Sequence, residues 1–237
     1  MNRIRAALPL LALLLGACAA QPSARSAPPG SAAPTTTAPP SVAPSVDASH
    51  ALADALNPAL RDELLAMMAE DQAVRTGVAP PGDDRTADEL FAAWDAVDFA
   101  NQERMREILD EYGWPGWSLV GEDGALAAWI LIQHSDLQRD LQKRGLAMLQ
   151  AAVDADDADP GDLAYLIDRV RVADGEPQVY GTQVMMDESG ELISRTPIED
   201  EANVDARRAE VGLGTLEEYY EEFRNTVEAE PSTSPTP

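Results

Sequence analysis

A chain of 237 residues with 42 acidic against 17 basic side chains carries a formal net charge of −25, which repels phosphate backbones and anionic lipid headgroups. Nucleic acid is therefore not an expected partner, and a basic patch is not an expected membrane contact. The single cysteine rules out a fold stapled by internal disulfides, so stability has to come from a packed core.

Residues 1–17 read as a signal segment, with Arg3 and Arg5 as the positive region, Ala6 to Leu15 as the apolar region, and Gly16 and Ala17 before the cleavage point. The apolar run is too short to span a bilayer. Cys18 follows directly, and "LGAC" resembles the lipobox of bacterial lipoproteins. That resemblance implies an acylated Cys18 as mature N-terminus, a membrane partner reached through the lipid, and a cell-envelope location. Ala19 in place of Asp after the cysteine would favour the outer membrane, facing the periplasm, in a Gram-negative cell. Residues 18–50 are rich in Ala, Pro, Ser and Thr and cannot bury enough to fold. As a tether they would reach roughly 30 Å coiled and about 90 Å extended. A polar tail over 227–237 closes the chain, leaving one mainly α domain over 51–226.

Within it, Asn57-Pro58 reads as an N-cap with proline at the first helical position, followed by Leu60, Leu64, Met67 and Met68 at helical spacing. Thr86 with Glu89 forms a capping box, and Leu90, Trp94, Val97, Met105, Ile108 and Tyr112 make the stripe of a long helix ended by Gly113 and Pro115. Asn101 interrupts that stripe and needs a hydrogen-bond partner. Ala125 to Ile132 is apolar on all sides, which predicts a central buried helix, or a short buried strand, ending at Gln133 and His134. Ser135 with Gln138 suggests another capping box, Asp159-Pro160 starts a further helix, and a hairpin is predicted over 178–186 and 191–196 around "DESG". A short helix follows Asn203, and Thr215 with Glu218 caps the last one.

Three stretches, "EYGWPGWSLVGEDGALAAWILIQHSD", "DLAYLIDRVRVADGEPQVYGTQ" and "TPIEDEANVDARRAEVGLGTLEEY", resemble an uncharacterised bacterial family, domain of unknown function 6624, from about Asp71 to Tyr220. The resemblance implies no activity. It marks where the family's motifs lie: Gln133, His134 and Asp136; Asp168 and Arg169; Gln178, Tyr180, Gly181, Thr182 and Gln183; Asp205, Arg207 and Arg208.

His134 is the one histidine inside the folded segment. At a helix C-terminus its charged form would be favoured by the dipole, Asp136 could hold it, and it could serve as a general base or simply cap the helix. One histidine with scattered carboxylates falls short of the three ligands a metal needs, so neither a metal nor a cofactor is expected. The run Asp154, Asp156, Asp157, Asp159, Asp162 fails the calcium-loop pattern at Ala158 and reads as a solvated turn. The polar row Gln178, Tyr180, Thr182, with Gln183 opposite, either lines a cleft with His134 and one of Arg169, Arg207 and Arg208, or forms a buried network locking the hairpin to the helices. Trp114 and Trp117 could stack on sugar rings or plug the core beneath a loop. No nucleophile elbow, zinc-protease helix or phosphate loop is present. These features point to an interaction or ligand-binding module for an envelope ligand or protein partner. The alternative is a hydrolase-like enzyme using His134 with a nearby carboxylate, Asp136 or Asp168.

Overall fold

The computed structural model describes residues 56–75 and 85–229; the expected signal segment, Cys18, the tether and the end of the tail lie outside these residues. The described residues form seven α-helices and one two-stranded antiparallel hairpin, a mainly α fold. None of these helices is long and apolar enough to cross a membrane.

Helix α1 (Pro58–Arg75) starts where Asn57 accepts the Leu60 amide on Oδ1 at 3.0 Å. Helix α2 (Ala87–Tyr112) starts in the reciprocal box of Thr86 and Glu89, with the Thr86 amide 2.7 Å from Glu89 Oε2. Helix α3 (Trp117–Gln133) breaks at Gly121, where φ is +74°, and from Gly124 to Gln133 every residue but Leu126 is buried. It is the central helix, not the alternative strand. Helices α1 and α2 and the two that follow it pack around it, covering its apolar residues from water. Leu60 and Leu64 of α1 and Met105, Ile108 and Leu109 of α2 share its core cluster, and Trp114 and Trp117 pack partly buried against that cluster as plugs.

Helix α4 (Arg139–Asp154) begins later than expected. Ser135 forms no capping box with Gln138, because its hydroxyl donates instead to the Leu131 carbonyl at 2.9 Å. The Gln138 side chain accepts from Arg106 Nε at 2.8 Å. Gly145 lets α4 lie tightly on α3, since a Cβ there would come within 2.5 Å of Ile132 Cγ2. Helix α5 (Pro160–Asp174) is capped by Asp159, whose Oδ1 accepts the Gly161 amide at 2.6 Å.

The hairpin is shorter than its sequence suggests: β1 (Val184–Met186) pairs with β2 (Leu192–Ser194), Val184 facing Ser194. Residues 178–183 are not strand; only Gln178 makes an isolated bridge, to Ile198. After a 3₁₀ turn (Glu201–Asn203) come α6 (Val204–Glu210) and α7 (Leu216–Ala229), the latter opened by the predicted box, with the Glu218 amide 3.2 Å from Thr215 Oγ1. Val184, Tyr219 and Phe223 form a second small core. Tyr165 of α5 links it to the first, edge-on to Trp129 at 6.2 Å and to Tyr219 at 6.1 Å.

Candidate functional site

The polar residues singled out in the sequence fall into two clusters on neighbouring faces of α5, where Asp168 and Arg169 are consecutive.

The first surrounds the fully buried Asp168 carboxylate. Its Oδ1 accepts the Val179 amide at 2.7 Å, and its Oδ2 accepts the Thr182 amide at 2.9 Å and the Thr182 hydroxyl at 3.0 Å; the Tyr180 amide reaches both oxygens. Four carbonyls of the same segment are served as well. Arg207 Nε donates to Val179 at 3.0 Å, Arg208 Nη1 to Tyr180 at 2.8 Å, the Tyr219 hydroxyl to Thr182 at 2.8 Å, and Gln178 Nε2 to Gln183 at 2.9 Å. Gln178 Oε1 in turn accepts the Gln183 amide at 2.7 Å, and Gln183 Nε2 donates to Thr182 Oγ1. Gly181 is required at φ +68°, where a Cβ would sit 2.6 Å from Ile198 Cδ1. The row of polar side chains therefore replaces a sheet ladder: it satisfies backbone that has no strand partner. Among the described residues Gln178, Thr182 and Gln183 are buried in this network and make no bond to His134.

The second cluster centres on His134, the C-cap of α3, whose side chain is 3% exposed. Its partner is Asp71 of α1 and not Asp136: Nδ1 lies 2.8 Å from Asp71 Oδ2. Arg75, one turn along α1, grips the other oxygen of Asp71 through Nε at 3.0 Å and Nη2 at 2.8 Å. Arg75 also bonds Asp98 of α2 and lies over the Trp94 ring, 4.9 Å from its centroid, while Trp94 Nε1 donates to Asp98 at 3.1 Å. On the other side of His134, Asp136 receives both arms of Arg169, at 2.9 and 2.6 Å, and a bond from Gln142 at 3.0 Å. Asp136 is the outward edge of the centre, its side chain 45% exposed.

Burial dominates the electrostatics. It lowers the His134 pKa from its ordinary value, and the hydrogen bond and charge of Asp71 do not offset that effect. The imidazole is thus neutral at pH 7, contrary to the dipole-favoured cation expected at this helix end, with Nδ1–H donated to Asp71. Asp71 is held below the usual carboxylate range, because the bonds from His134 and Arg75 outweigh its own burial. Burial would also raise Asp136, but the Arg169 charge and hydrogen bond carry it down. Asp98 goes the other way: burial, with Asp71 and Asp136 adding to it, pushes it up to about 6 despite Arg75.

Asp71, Arg75, Trp94 and Asp98 did not stand out in the sequence as site residues. A signal existed, since Asp71 and Arg75 continue the Leu60, Leu64, Met67 stripe of α1 at helical spacing, and charges on a core-facing stripe need partners. The acidic run at 154–162 is structural: Asp157 accepts the Ser118 amide at 2.6 Å and Asp159 caps α5. Among the described residues no group of three or more His, Cys, Asp or Glu side chains could hold a metal ion.

The three motif stretches thus lie in one domain, in the regions that build both clusters. The model of DUF6624, a family of unknown function, matches residues 58–228, the whole of that domain from α1 into α7. The chain belongs to this family. No curated protein and no solved structure matches it. For this member of DUF6624, the His134 centre is the candidate site, because the Asp168 carboxylate is taken up by the backbone of 179–182 whereas the His134 ring is engaged among the described residues only through Nδ1.

Proposed function

We propose that this protein is a lipid-anchored component of the bacterial cell envelope, attached through Cys18, whose helical domain is a ligand-binding module with its site at the His134 centre. The anchor rests on "LGAC" after a short apolar run, followed by a tether unable to fold. The binding role rests on one observation: Gln133, which precedes His134 at the end of α3, buries its side-chain Oε1 with no hydrogen-bond partner. Native proteins rarely bury such a group without a use for it.

The hydrolase-like alternative draws on the Asp71–His134 pair. A neutral imidazole whose Nδ1–H is held by a carboxylate keeps Nε2 as a base, the arrangement of general-base catalysis. The carboxylate in that role is Asp71. Asp136 is engaged by Arg169, and Asp168 by the hairpin segment.

Two measurements test the reading. Cys18→Ser should abolish acylation and release the protein from the membrane fraction; retention in that fraction would remove the anchor. A thermal-shift screen of envelope sugars and peptides should find a ligand that raises the wild-type midpoint but not that of His134→Asn, a change that keeps a donor near Asp71. A hit that stabilises both equally would place binding elsewhere.

A further inference from the structure

Helix α2 divides at Asn101. Asn101, Gln102, Met105, Ile108 and Leu109 are buried, whereas no residue from 87 to 100 is. A helical segment of that length is marginal in water by itself, so this half depends on what holds it to the domain. Arg75 of α1 holds it at two points, bonding Asp98 and lying over the Trp94 ring. Trp94 Nε1 donates to the other oxygen of Asp98, which ties the two points together.

This contact lies among more carboxylates than its cations can balance. Asp71 and Asp98 share Arg75, with side chains 1% and 12% exposed against 2% for the arginine. Asp136, in the turn after α3, adds its repulsion to Asp98, and its own guanidinium partner, Arg169, comes from α5. His134 at the end of α3 brings no charge, because its imidazole is neutral and donates Nδ1–H to Asp71. Three carboxylates thus face two guanidinium groups. Asp71 is held by both Arg75 and His134, and Asp136 by both arms of Arg169, so the excess negative charge falls on Asp98. A proton on Asp98 removes the imbalance, and its carbonyl oxygen still accepts from Arg75.

We propose that Asp98 is a proton-operated clasp: protonated, it closes the first half of α2 onto α1, and ionised, it lets that half loosen. The clasp stands independently of the ligand-binding reading. Burial, with Asp71 and Asp136 adding to it, pushes Asp98 up to about 6, while Asp71 and Asp136 are held low; of the three, Asp98 titrates nearest to neutral pH. Once loosened, its carboxyl meets water and returns to its ordinary 3.8. The hold on α2 is therefore complete below 3.8 and lost as pH rises through about 6, and opening grows by about tenfold between pH 5 and 7.5. With Asp98 neutral, Arg75 serves Asp71 alone, which steadies the carboxylate that holds His134.

The test follows hydrogen exchange in the full chain in detergent, read by mass spectrometry on peptides over 88–100 and 125–132, with rates corrected for the intrinsic pH dependence of amide exchange. Residues 88–100 should exchange faster than 125–132 of α3 at every pH, the mark of a local opening. Their protection should fall by about tenfold from pH 5 to 7.5. His134 titrates in the opposite sense and cannot produce that fall. In Asp98→Asn, which cannot ionise, the fall should vanish. Asp136→Asn removes one repelling carboxylate and should move the fall to lower pH, a readout that serves if Asp98→Asn folds poorly. Protection over 88–100 that is level across this range, that falls equally in Asp98→Asn, or that equals the protection of α3 would overturn the proposal.

Discussion

The Asp168→Asn substitution tests whether one buried carboxylate holds the hairpin region to the helices. Asp168 is fully buried and accepts the amides of Val179, Tyr180 and Thr182 and the Thr182 hydroxyl, all within 2.7 to 3.2 Å. Asparagine fills the same volume but turns one acceptor into a donor facing amides that can only donate. In either amide orientation at least one buried N–H loses its partner, at about 1–3 kcal/mol, and the remaining bonds lose their charge-assisted strength. The sum is about 3–5 kcal/mol. For a domain of this size that corresponds to a fall in melting temperature of roughly 10 °C. Circular dichroism melts read the global loss, and amide exchange at Val179, Tyr180 and Thr182 should speed up more than exchange in α3. A melting temperature within about 2 °C of wild type, with those amides still protected, would refute the reasoning.

Gly181→Ala should cost about 2–3 kcal/mol in urea denaturation, because alanine must adopt φ +68° and its Cβ would press on Ile198 from 2.6 Å. Arg75→Met strands Asp71 and Asp98 in the core and should cost about 3–5 kcal/mol at neutral pH, seen as a lower urea midpoint that partly recovers on acidification as Asp98 takes up its proton. The two perturbed groups beside it oppose one another in pH. Asp98, raised to about 6, contributes stability that is complete below its ordinary 3.8 and lost as pH rises through about 6. His134, lowered from 6.5, contributes stability that is complete above 6.5 and lost as pH falls through its folded value. Asp98→Asn should therefore make the protein lose stability from about pH 6.5 down to about pH 4.5, and His134→Asn should make it gain stability over the same window; urea midpoints across that range decide it.

The helix starts were legible because their causes are local. Asn57-Pro58, Thr86 with Glu89, Asp159-Pro160 and Thr215 with Glu218 satisfy amides within three residues of themselves, so the signal and the bond share one stretch of chain. Ser135 and Gln138 show the limit of that logic. They fit the same pattern, yet other partners took both side chains, the Leu131 carbonyl one turn back for Ser135 and Arg106 of α2 for Gln138. The 178–183 segment misled for a related reason. Its alternation of polar residues has the period of a strand, but the backbone it serves is bonded to Asp168, Arg207 and Arg208, which lie 10 or more residues away in sequence and carry no local trace of the pairing.

The partner of His134 was out of reach for a different reason. Asp136 is two residues away, so a local reading prefers it, but the C-cap position turns the ring back along α3 toward α1, where Asp71 waits 63 residues earlier in the chain. Arg169 engages Asp136 and Arg75 is shared by Asp71 and Asp98, while burial leaves the imidazole among them uncharged. That division separates the two polar clusters physically. Around Asp168 the carboxylate takes up the Val179, Tyr180 and Thr182 amides and the arginines of α6 take up carbonyls of the same segment, which suits a joint between the helices and the hairpin. Around His134 three carboxylates share two guanidinium groups, and the preceding residue, Gln133, buries its Oε1 without a partner, which suits a place where something else binds. Substitutions around Asp168 should thus lower stability, whereas His134→Asn should reduce binding while the domain still folds.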